Sequence, residues 1–536
     1  MLNCNAFGYT IETPYGNEAS TDLFVYGVYG ITDLFTAHKQ DIYMNQLEFF
    51  SRGINNVDSM EVRKFYTDFH DNVLEDPNAW RTKYKENNNF FPEYYVLPID
   101  SKMQRDPADV YEMVDYLIGN GVKVSKLTKN TKIGKTTYKA GSYVVDMHQA
   151  KRNYANVCLY KGPDASGYAG LYSESVNCFP ELRGFTAKAI TKKDAFKGKL
   201  KSVKSASEKS QLKGTKGKMV ILENNGQEAT KAVNAMLKNS KKVGLIKSGT
   251  HKGDFLISST VWNTYSKKYT LVGTVVPKAP KAYLLKLPKV YVPGQHEDFH
   301  AGKYTDGYYK TWFSNGYGYY NYDNISWDAQ SYNWSKYAFK NTLGFKVVTD
   351  PDDANVIAGA KPLSQGMYGQ TAVEKVKNGT PYIATGMATF DDIIGELGVE
   401  FKYDENGGGE SLHYVTYPAT SMVTASAKHN KDNIAYTNSG TVFTEIPEGA
   451  KILIQVAEKD AHISGCYPNV DVAGFYGQAE AISYAKDGLN LTMFGMSIMN
   501  KGHQQDDYQY ATAAIFNSLT GKVMKTDTKA KTIKAN

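Results

Sequence analysis

The first side chain that could do chemistry is a carboxylate close to the start of the chain. Glu12 ends the strand-like segment FGYTIE and is followed by the turn TPYG. A carboxylate that faces a bound metal and is sheltered from water can take a proton from a metal-bound water and pass it to a leaving amine. A glutamate before a turn is more often solvated, and the eleven residues before Glu12 include no His, Arg, Asp or Glu. The residues alone therefore make Glu12 a candidate base without visible partners.

A second candidate is the segment HEDFH, in which His296, Glu297 and His300 match the HExxH pattern of a class of zinc proteases. That chemistry needs a helix, which places the two histidines on one face. VPGQ before the segment and AGKYTDG after it predict a loop that follows a strand at 288–293. We therefore expect no protease site here, although a weak ligand contact stays open because such loops bind ligands in α/β domains.

The segment IGKTT, with Gly134, Lys135 and Thr136, is similar to a phosphate-binding loop. The required first glycine is replaced by Lys129, and no strand-to-helix switch follows, so we predict a β-hairpin.

Two stretches have the composition of polymer-binding surfaces. Eleven lysines lie between Lys188 and Lys218, against Asp194 and Glu208. This run could bind nucleic acid or an anionic cell wall, but Phe196 is its only aromatic residue, so no stacking platform is expected. We interpret it as a solvated linker and expect no nucleic-acid partner.

The second stretch, 308–334, is rich in Tyr and includes Trp312 and Trp334. Its aromatic rings could stack on the sugars or peptides of a wall polymer, or they could pack against a sheet. Packing is the preferred interpretation, and both remain open.

Composition places the chain among folded proteins with several domains. A length of 536 residues allows roughly three to four domains. Apolar residues make up 42% and charged residues 22%, with a net charge of +7. No apolar run is long enough to span a membrane, and no signal peptide is seen in the chain as given. The four cysteines form no CxxC motif, and whether Cys158 and Cys178 pair stays open.

The periodicity predicts how the chain is organised. Residues 17–52 predict one long amphipathic helix, capped by Asn17 or Ser20, whose apolar stripe needs a partner. Residues 1–65 therefore predict the end of a domain whose body is missing, followed by a linker at 66–90. Alternating strands and helices predict an α/β domain with parallel pairing at 91–285, with a Lys-rich insert at 191–217. A doubly wound α/β unit is predicted at 286–521 and a disordered basic tail at 522–536.

The order of motifs resembles the large bacterial zinc carboxypeptidases, the carboxypeptidase A-type metallopeptidase family. GYTIETP, a long helix and FFSRG resemble the C-terminal end of the catalytic domain in that family. YYVLPIDSKMQRDPADVYEMVDYLIGNGVKV and TTYKAGSYVVDMHQAKRNYA are similar to the module that follows it. Four further segments resemble a terminal domain of the class I glutamine amidotransferase type: KVYVPGQ, DANVIAGAKPL, VKNGTPYIATG and LTMFGMSIMNKGHQQDDYQYATAAIFNSL. The likeness covers roughly residues 1–60, 91–185 and 286–521.

This resemblance implies that Glu12 is the general base and acid of a metallocarboxypeptidase that hydrolyses C-terminal peptide bonds. It also implies zinc, a peptide substrate and an extracellular or cell-surface location. The family's zinc ligands, a His-x-x-Glu pair and a later His, have no counterpart before Glu12. We therefore interpret the chain as truncated, without zinc or activity by itself. The alternative is a non-catalytic scaffold that binds a cell-wall peptide or carbohydrate through its accessory domains.

An active amidotransferase domain would need a nucleophilic Cys on a sharp strand-to-helix turn. The corresponding stretch offers Ser364, and Cys466 lies far downstream without such a turn. We therefore expect no glutaminase chemistry.

Overall fold

Three large β-sheets with packed helices make up the described part of the chain, and this confirms the predicted α/β class. The computed structural model describes residues 17–57, 84–162, 178–294, 334–405, 410–429, 433–465, 472–500, 502, 504–527 and 529–535. Within these ranges, no helix has both the length and the apolar character needed to cross a membrane.

Two helices precede the first sheet where one was predicted. They are α1 (Glu18–Ala37) and α2 (Lys39–Asn55). The Asn17 side chain accepts a hydrogen bond from the Ser20 backbone N–H at 2.9 Å, which confirms Asn17 as the predicted cap. His38 lies between the helices with a non-helical φ of −112°. Several large apolar side chains of α1, such as Leu23 and Tyr26, are exposed.

The first sheet has five strands in the order β6-β1-β5-β2-β7. Its elements are β1 (Tyr94–Leu97), α3 (Pro107–Gly119), β2 (Ser125–Leu127), β3 (Thr131–Ile133), β4 (Thr136–Tyr138), β5 (Tyr143–Asp146), α4 (Arg152–Leu159), α5 (Phe179–Arg183), β6 (Lys188–Ile190) and β7 (Leu200–Ser202). β3 and β4 form a separate antiparallel hairpin.

The second sheet is built mainly from residues 211–285. Its elements are β8 (Gln211–Gly214), β9 (Lys216–Gly217), β10 (Met219–Leu222), α6 (Gln227–Lys238), β11 (Gly244–Ile246), β12 (Phe255–Ser258), α7 (Ser259–Tyr265), β13 (Val272–Val276) and β14 (Ala282–Leu285). β9 lies outside the seven-stranded sheet, whereas β8 is one of its edge strands.

The predicted parallel pairing at 91–285 is wrong for nearly every strand pair. In the first sheet β5 pairs antiparallel with both β1 and β2, and in the second sheet β12 pairs antiparallel with both β10 and β11. The strands joined by a helix do run in the same direction, but a third strand lies between them and runs in the opposite direction. Among the described strands of 91–285, only β8 and β13 pair in parallel. Helix–strand alternation therefore predicted strand direction and missed the inserted strands.

The third sheet contains the parallel strands predicted for the C-terminal unit. Its elements are β15 (Lys289–Tyr291), β16 (Lys346–Val348), β17 (Val356–Gly359), α8 (Gly369–Lys377), β18 (Tyr382–Ala384), α9 (Phe390–Leu397), β19 (Lys402–Glu405), β20 (Ser411–Thr416), β21 (Ile434–Thr437), β22 (Thr441–Glu445), β23 (Lys451–Val456), β24 (His462–Gly465), α10 (Val472–Phe475), β25 (Ala479–Tyr484), β26 (Leu491–Phe494) and α11 (Tyr508–Ser518). The run β16-β15-β17-β18-β26 is parallel, and β25 then adds to β26 in the antiparallel direction.

Helix α11 joins the second and third sheets because it is buried on nearly all sides. The ring of Phe516 lies 5.3 Å from that of Phe255 in β12 and 5.5 Å from that of Phe345. Residues of both sheets therefore belong to one continuous apolar cluster around this helix. A helix that is apolar all round must be enclosed by protein, so the two sheets form a single packed body.

A buried arginine attaches the first sheet to the start of α11. The Arg105 guanidinium lies 3.2 Å from an Asp506 carboxylate oxygen and 2.9 Å from one of Glu181. It also donates to the Pro180 carbonyl at 2.7 Å. A buried guanidinium needs such partners, because removing them would leave a charge away from water.

The C-terminal residues are folded, so the prediction of a disordered tail is wrong. β27 (Thr520–Val523) pairs with β14 at the edge of the second sheet, and β28 (Ile533–Lys534) pairs with β9. The side chain of Met524 is buried in an apolar cluster of the second sheet with Ala282. The prediction from the sequence missed these few buried positions because most residues of the tail are basic or polar.

Replacing Met524 with alanine tests this arrangement. We expect Met524→Ala to reduce the free energy of unfolding by about 2 kcal/mol, because it leaves a cavity in a packed cluster. Urea unfolding of the full chain measures the change. Lys525→Ala, at an exposed neighbouring position, is the control and should leave the unfolding midpoint unchanged. Equal midpoints for both variants would mean that the tail does not pack.

Candidate ligand-binding cleft

A cleft of about 1300 Å³ lies between the first and second sheets. Its walls are formed by Tyr111 and by residues 99–102, 139–140, 208–213, 262–263, 266–270 and 533–534. Separate segments of the chain therefore meet at this surface, and the C-terminal one is the tail strand β28. We refer to this surface as the cleft.

The segment that connects the two sheets lines the cleft with residues 208–210. On the side of the first sheet, the Tyr143 hydroxyl accepts a hydrogen bond from the Ser207 backbone N–H at 2.7 Å. On the side of the second sheet, the Ser210 hydroxyl lies 2.9 Å from both the Ser266 and the Tyr269 carbonyl oxygens. The Gln211 amide then donates to the Ile99 carbonyl at 2.9 Å and ties the two walls together.

A tryptophan supports the wall formed by the second sheet. Trp262, on α7, is only 4% exposed and packs over β13. It can do so because residue 273 is glycine: a Cβ atom there would lie 2.6 Å from the Trp262 ring. Any larger side chain at Gly273 would displace the indole and change the shape of the cleft.

The charge of the cleft lining is strongly positive. Seven lysines line it, Lys102, Lys139, Lys209, Lys213, Lys267, Lys268 and Lys534, against the two carboxylates Asp100 and Glu208. The lining contains no arginine. The cleft is therefore a concave surface with a net charge of about +5, which favours anionic ligands.

Two of these lysines are paired with carboxylates. Lys139 lies 2.8 Å from Asp100, and Lys213 lies 3.0 Å from Glu223. Burial alone would raise the pKa of Asp100, but the hydrogen bond from Lys139 and the charges of Lys139 and Lys102 hold it below its ordinary value. Asp100 therefore stays ionised and fixes the position of Lys139.

The remaining lysines carry the charge that a ligand would meet. Lys209, Lys267, Lys268 and Lys534 are exposed, and none of them has an ion pair with a carboxylate of the described ranges. Burial, together with Tyr143 and Glu208, raises the pKa of Tyr111 to about 12, so this phenol stays protonated. The cleft can thus bind a ligand through the ammonium groups of its lysines and through neutral hydrogen-bond donors such as the Tyr111 hydroxyl.

A second charged group lies where the second sheet meets the C-terminal unit. Asp254, at the start of β12, is 2.8 Å from the imidazole of His429 and 2.8 Å from the ammonium of Lys428. His251 is 3.3 Å away on the other side. Burial alone would raise the pKa of Asp254, but hydrogen bonds from the two histidines and the Lys428 charge hold it far below its ordinary value. These residues satisfy one another, so we interpret the group as a structural contact between units.

A third pair is enclosed in the C-terminal unit. The His413 imidazole lies 2.8 Å from the Glu480 carboxylate, and both side chains are fully buried. Groups without solvent exposure cannot meet a ligand unless the structure opens, so this pair belongs to the interior.

The structure leaves several sequence candidates undescribed. Four of them lie outside the described residues: Glu12, the HEDFH segment at 296–300, Cys466, and all of the aromatic stretch 308–334 except Trp334. The roles predicted for them, including that of Glu12 as general base, stay predictions.

Two other candidates have clear positions. The segment around Gly134 is the turn between β3 and β4, with a φ of +56°, which confirms the predicted hairpin. Ser364 lies in the turn after β17, where its backbone N–H donates to Asp392 at 2.9 Å and its hydroxyl donates to the same carboxylate. The lysine run 188–218 is not the solvated linker that was predicted, because β6, β7, β8 and β9 lie within it. Its residues Lys209 and Lys213 line the cleft, which was not predicted from the sequence. The other lysines become neighbours only through the fold.

The sequence resemblance implies a zinc ion, so the described side chains can be searched for a group that could bind it. Within the described ranges, no three His, Cys, Asp or Glu side chains come together in a group that could hold a metal ion. The described residues therefore do not fit a catalytic zinc.

Comparisons with known proteins give weak similarities. No protein-family model matches the chain, and no curated protein matches it. A GMP synthase protein from Thermoplasma acidophilum is similar with a TM-score of 0.24 and 11% identity, over 43% of this chain and 95% of that chain. The exo-beta-1,4-mannosidase Op5Man5 from Opitutaceae bacterium strain TAV5 is similar with a TM-score of 0.23 and 10% identity, over 44% of this chain and 36% of that chain. Similarities at this level carry no functional argument.

The charge on Asp254 predicts a pH dependence of stability. Asp254→Asn should lower the free energy of unfolding by about 3 kcal/mol at pH 7, because Lys428 and His429 would then face a neutral amide. A carboxylate whose pKa is lower in the folded than in the unfolded state stabilises the folded protein at pH values above its unfolded-state pKa of about 4. This stabilisation is lost as the pH falls below that value. The difference in the free energy of unfolding between the wild type and Asp254→Asn should therefore become smaller as the pH falls from about 4 to about 2.

Urea unfolding at pH 7, 5 and 3 measures this difference. Asp353→Asn, at an exposed position in the C-terminal unit, is the control. A constant difference at all three pH values would show that Asp254 is not charged in the folded protein.

Proposed function

We propose that the described part of the chain is a binding scaffold that holds a polymer, a cell-wall peptide or a carbohydrate, in the cleft. The observation that carries this proposal is the cleft itself: about 1300 Å³ of concave surface between two sheets, lined by seven lysines. Pockets for small molecules are commonly about 300–1000 Å³ and mostly apolar. A larger, open surface that is lined by seven lysines suits a chain-like ligand better than a small molecule.

Filling the cleft without changing its charge tests this function. Ala140 lines the cleft on the turn after β4 and is exposed. Ala140→Trp should reduce binding to purified bacterial cell-wall fragments at least tenfold, because the indole would occupy the space for the ligand. Cosedimentation of the full chain with the fragments measures binding.

Thr137→Trp is the matched control, since Thr137 is exposed on the same hairpin but does not line the cleft. It should bind like the wild type. The proposed function is wrong if the wild type does not cosediment, or if Ala140→Trp binds as well as Thr137→Trp.

A second candidate function is the metallocarboxypeptidase activity that the sequence resemblance implies. It is supported by the exposed apolar side chains of α1, the helix that follows Glu12, because such a surface suits a helix that packs on a further domain. In this proposal Glu12 serves as general base and acid, and the zinc ligands come from residues other than those of this chain. The cleft would then belong to accessory domains of the peptidase.

Zinc content and hydrolysis test the peptidase proposal. We expect the purified 536-residue chain to contain no stoichiometric zinc by elemental analysis and to release no C-terminal residue from peptide reporters. An in-frame His-x-x-Glu and a later His in the gene upstream of Met1 would support the peptidase; a nearby stop codon without such ligands would contradict it. Zinc at one per chain, with hydrolysis lost in Glu12→Gln, would contradict the assignment of the ligands to other residues.

A further inference from the structure

We propose that the cleft binds an acidic polypeptide segment in extended conformation, which adds as a strand to the free edge of β8 while its carboxylates pair with the cleft lysines. This inference rests on the proposed function and names the class of ligand.

The position of β8 is the first observation. β8 is the last strand of the second sheet, and among the described strands only β13 pairs with it. Its consecutive residues Gln211, Leu212 and Lys213 all line the cleft. Successive side chains of a strand point to opposite faces, so a cavity that touches all three runs along the edge of the strand and not over one face.

The hydrogen bonds of β8 show which backbone groups remain for a ligand. The Gln211 backbone N–H donates to the Leu271 carbonyl at 2.8 Å, on the side of β13. The N–H and C=O of a residue in a strand point to the same side, and this side alternates along the strand. The backbone N–H and C=O of Leu212 therefore point away from β13, toward the open edge. Addition of a peptide strand to such an edge is a common mode of peptide recognition.

The charge around this edge selects acidic peptides. Lys209 lies three residues before Leu212, and Lys267 and Lys268 also line the cleft, whereas the neighbouring Lys213 is paired with Glu223. Ammonium groups bind carboxylates as point charges and do not require the fixed geometry of an arginine fork. An extended peptide with acidic residues at alternate positions would direct its carboxylates to one side, where these lysines lie.

The aromatic residues argue against nucleic acid as the ligand. Trp262 and Tyr111 are each only 4% exposed. Tyr269 is half-buried and stacks on Tyr265, with the ring centroids 6.2 Å apart. Single-stranded nucleic acids are usually held by exposed aromatic rings on which the bases stack. The cleft offers positive charge without such rings.

Peptide binding to the full chain tests the proposal. The probe is a fluorescein-labelled peptide with four Glu-Thr repeats, and fluorescence anisotropy measures its Kd. The same peptide with N-methyl groups on alternate backbone nitrogens keeps its charge but cannot form the strand hydrogen bonds. We expect the N-methylated peptide to bind at least tenfold more weakly; equal binding would overturn strand addition.

Two pairs of protein variants complete the test. Lys267→Glu/Lys268→Glu should weaken peptide binding at least tenfold, whereas Lys241→Glu/Lys242→Glu, an exposed pair outside the cleft with the same change of charge, should not. Leu212→Pro removes the outward N–H and should weaken binding at least tenfold relative to Leu212→Ala, which keeps it. Equal effects within either pair would contradict the proposal.

Competing ligands separate this inference from the proposed function. If polygalacturonate or a dT20 oligonucleotide binds more tightly than the peptide and is also blocked by Ala140→Trp, the cleft is a binding site for another polymer and the acidic-peptide inference is wrong. If the cell-wall fragments and all of these probes fail to bind, both proposals are wrong.

Discussion

The structure depends on one helix that is buried on nearly every side. α11 carries apolar residues around its whole circumference, so it is stable only when protein encloses it. The second and third sheets provide this enclosure together, and the residues just before the helix bind Arg105 from the first sheet. All three sheets are therefore positioned by the same short segment. The shape of the cleft between the first and second sheets therefore depends on how α11 and the residues before it position these sheets.

The charged groups of the protein follow two different rules. Asp254, Lys428 and His429 are largely buried and satisfy one another, as buried charges must. The lysines of the cleft are exposed and several lack a carboxylate partner within the described ranges, so they keep their hydration in the free protein and can exchange it for a ligand. This contrast distinguishes a contact that holds units together from a surface that is suited to binding.

The sequence predicted individual elements better than their assembly. Asn17 was predicted as a possible helix cap and the segment around Gly134 as a β-hairpin, because these signals are local. The insertion of β5 and β12 between strands of the same direction depends on tertiary pairing and has no local signal. The tail was misjudged because a few buried residues among lysines determine its fold. The cleft could not be predicted, since its lysines are distant in sequence.

The tail strand β28 also affects when the cleft can exist. It forms one wall of the cleft, and the other walls come from Tyr111 and residues 99–102, 139–140, 208–213, 262–263 and 266–270. During synthesis the N-terminal domains fold first, before residues 533–534 have been added to the chain. The first sheet and most strands of the second sheet can thus form early, but the complete cleft has to wait for residues 533–534. A nascent chain that lacks these residues cannot yet hold a ligand in the complete cleft.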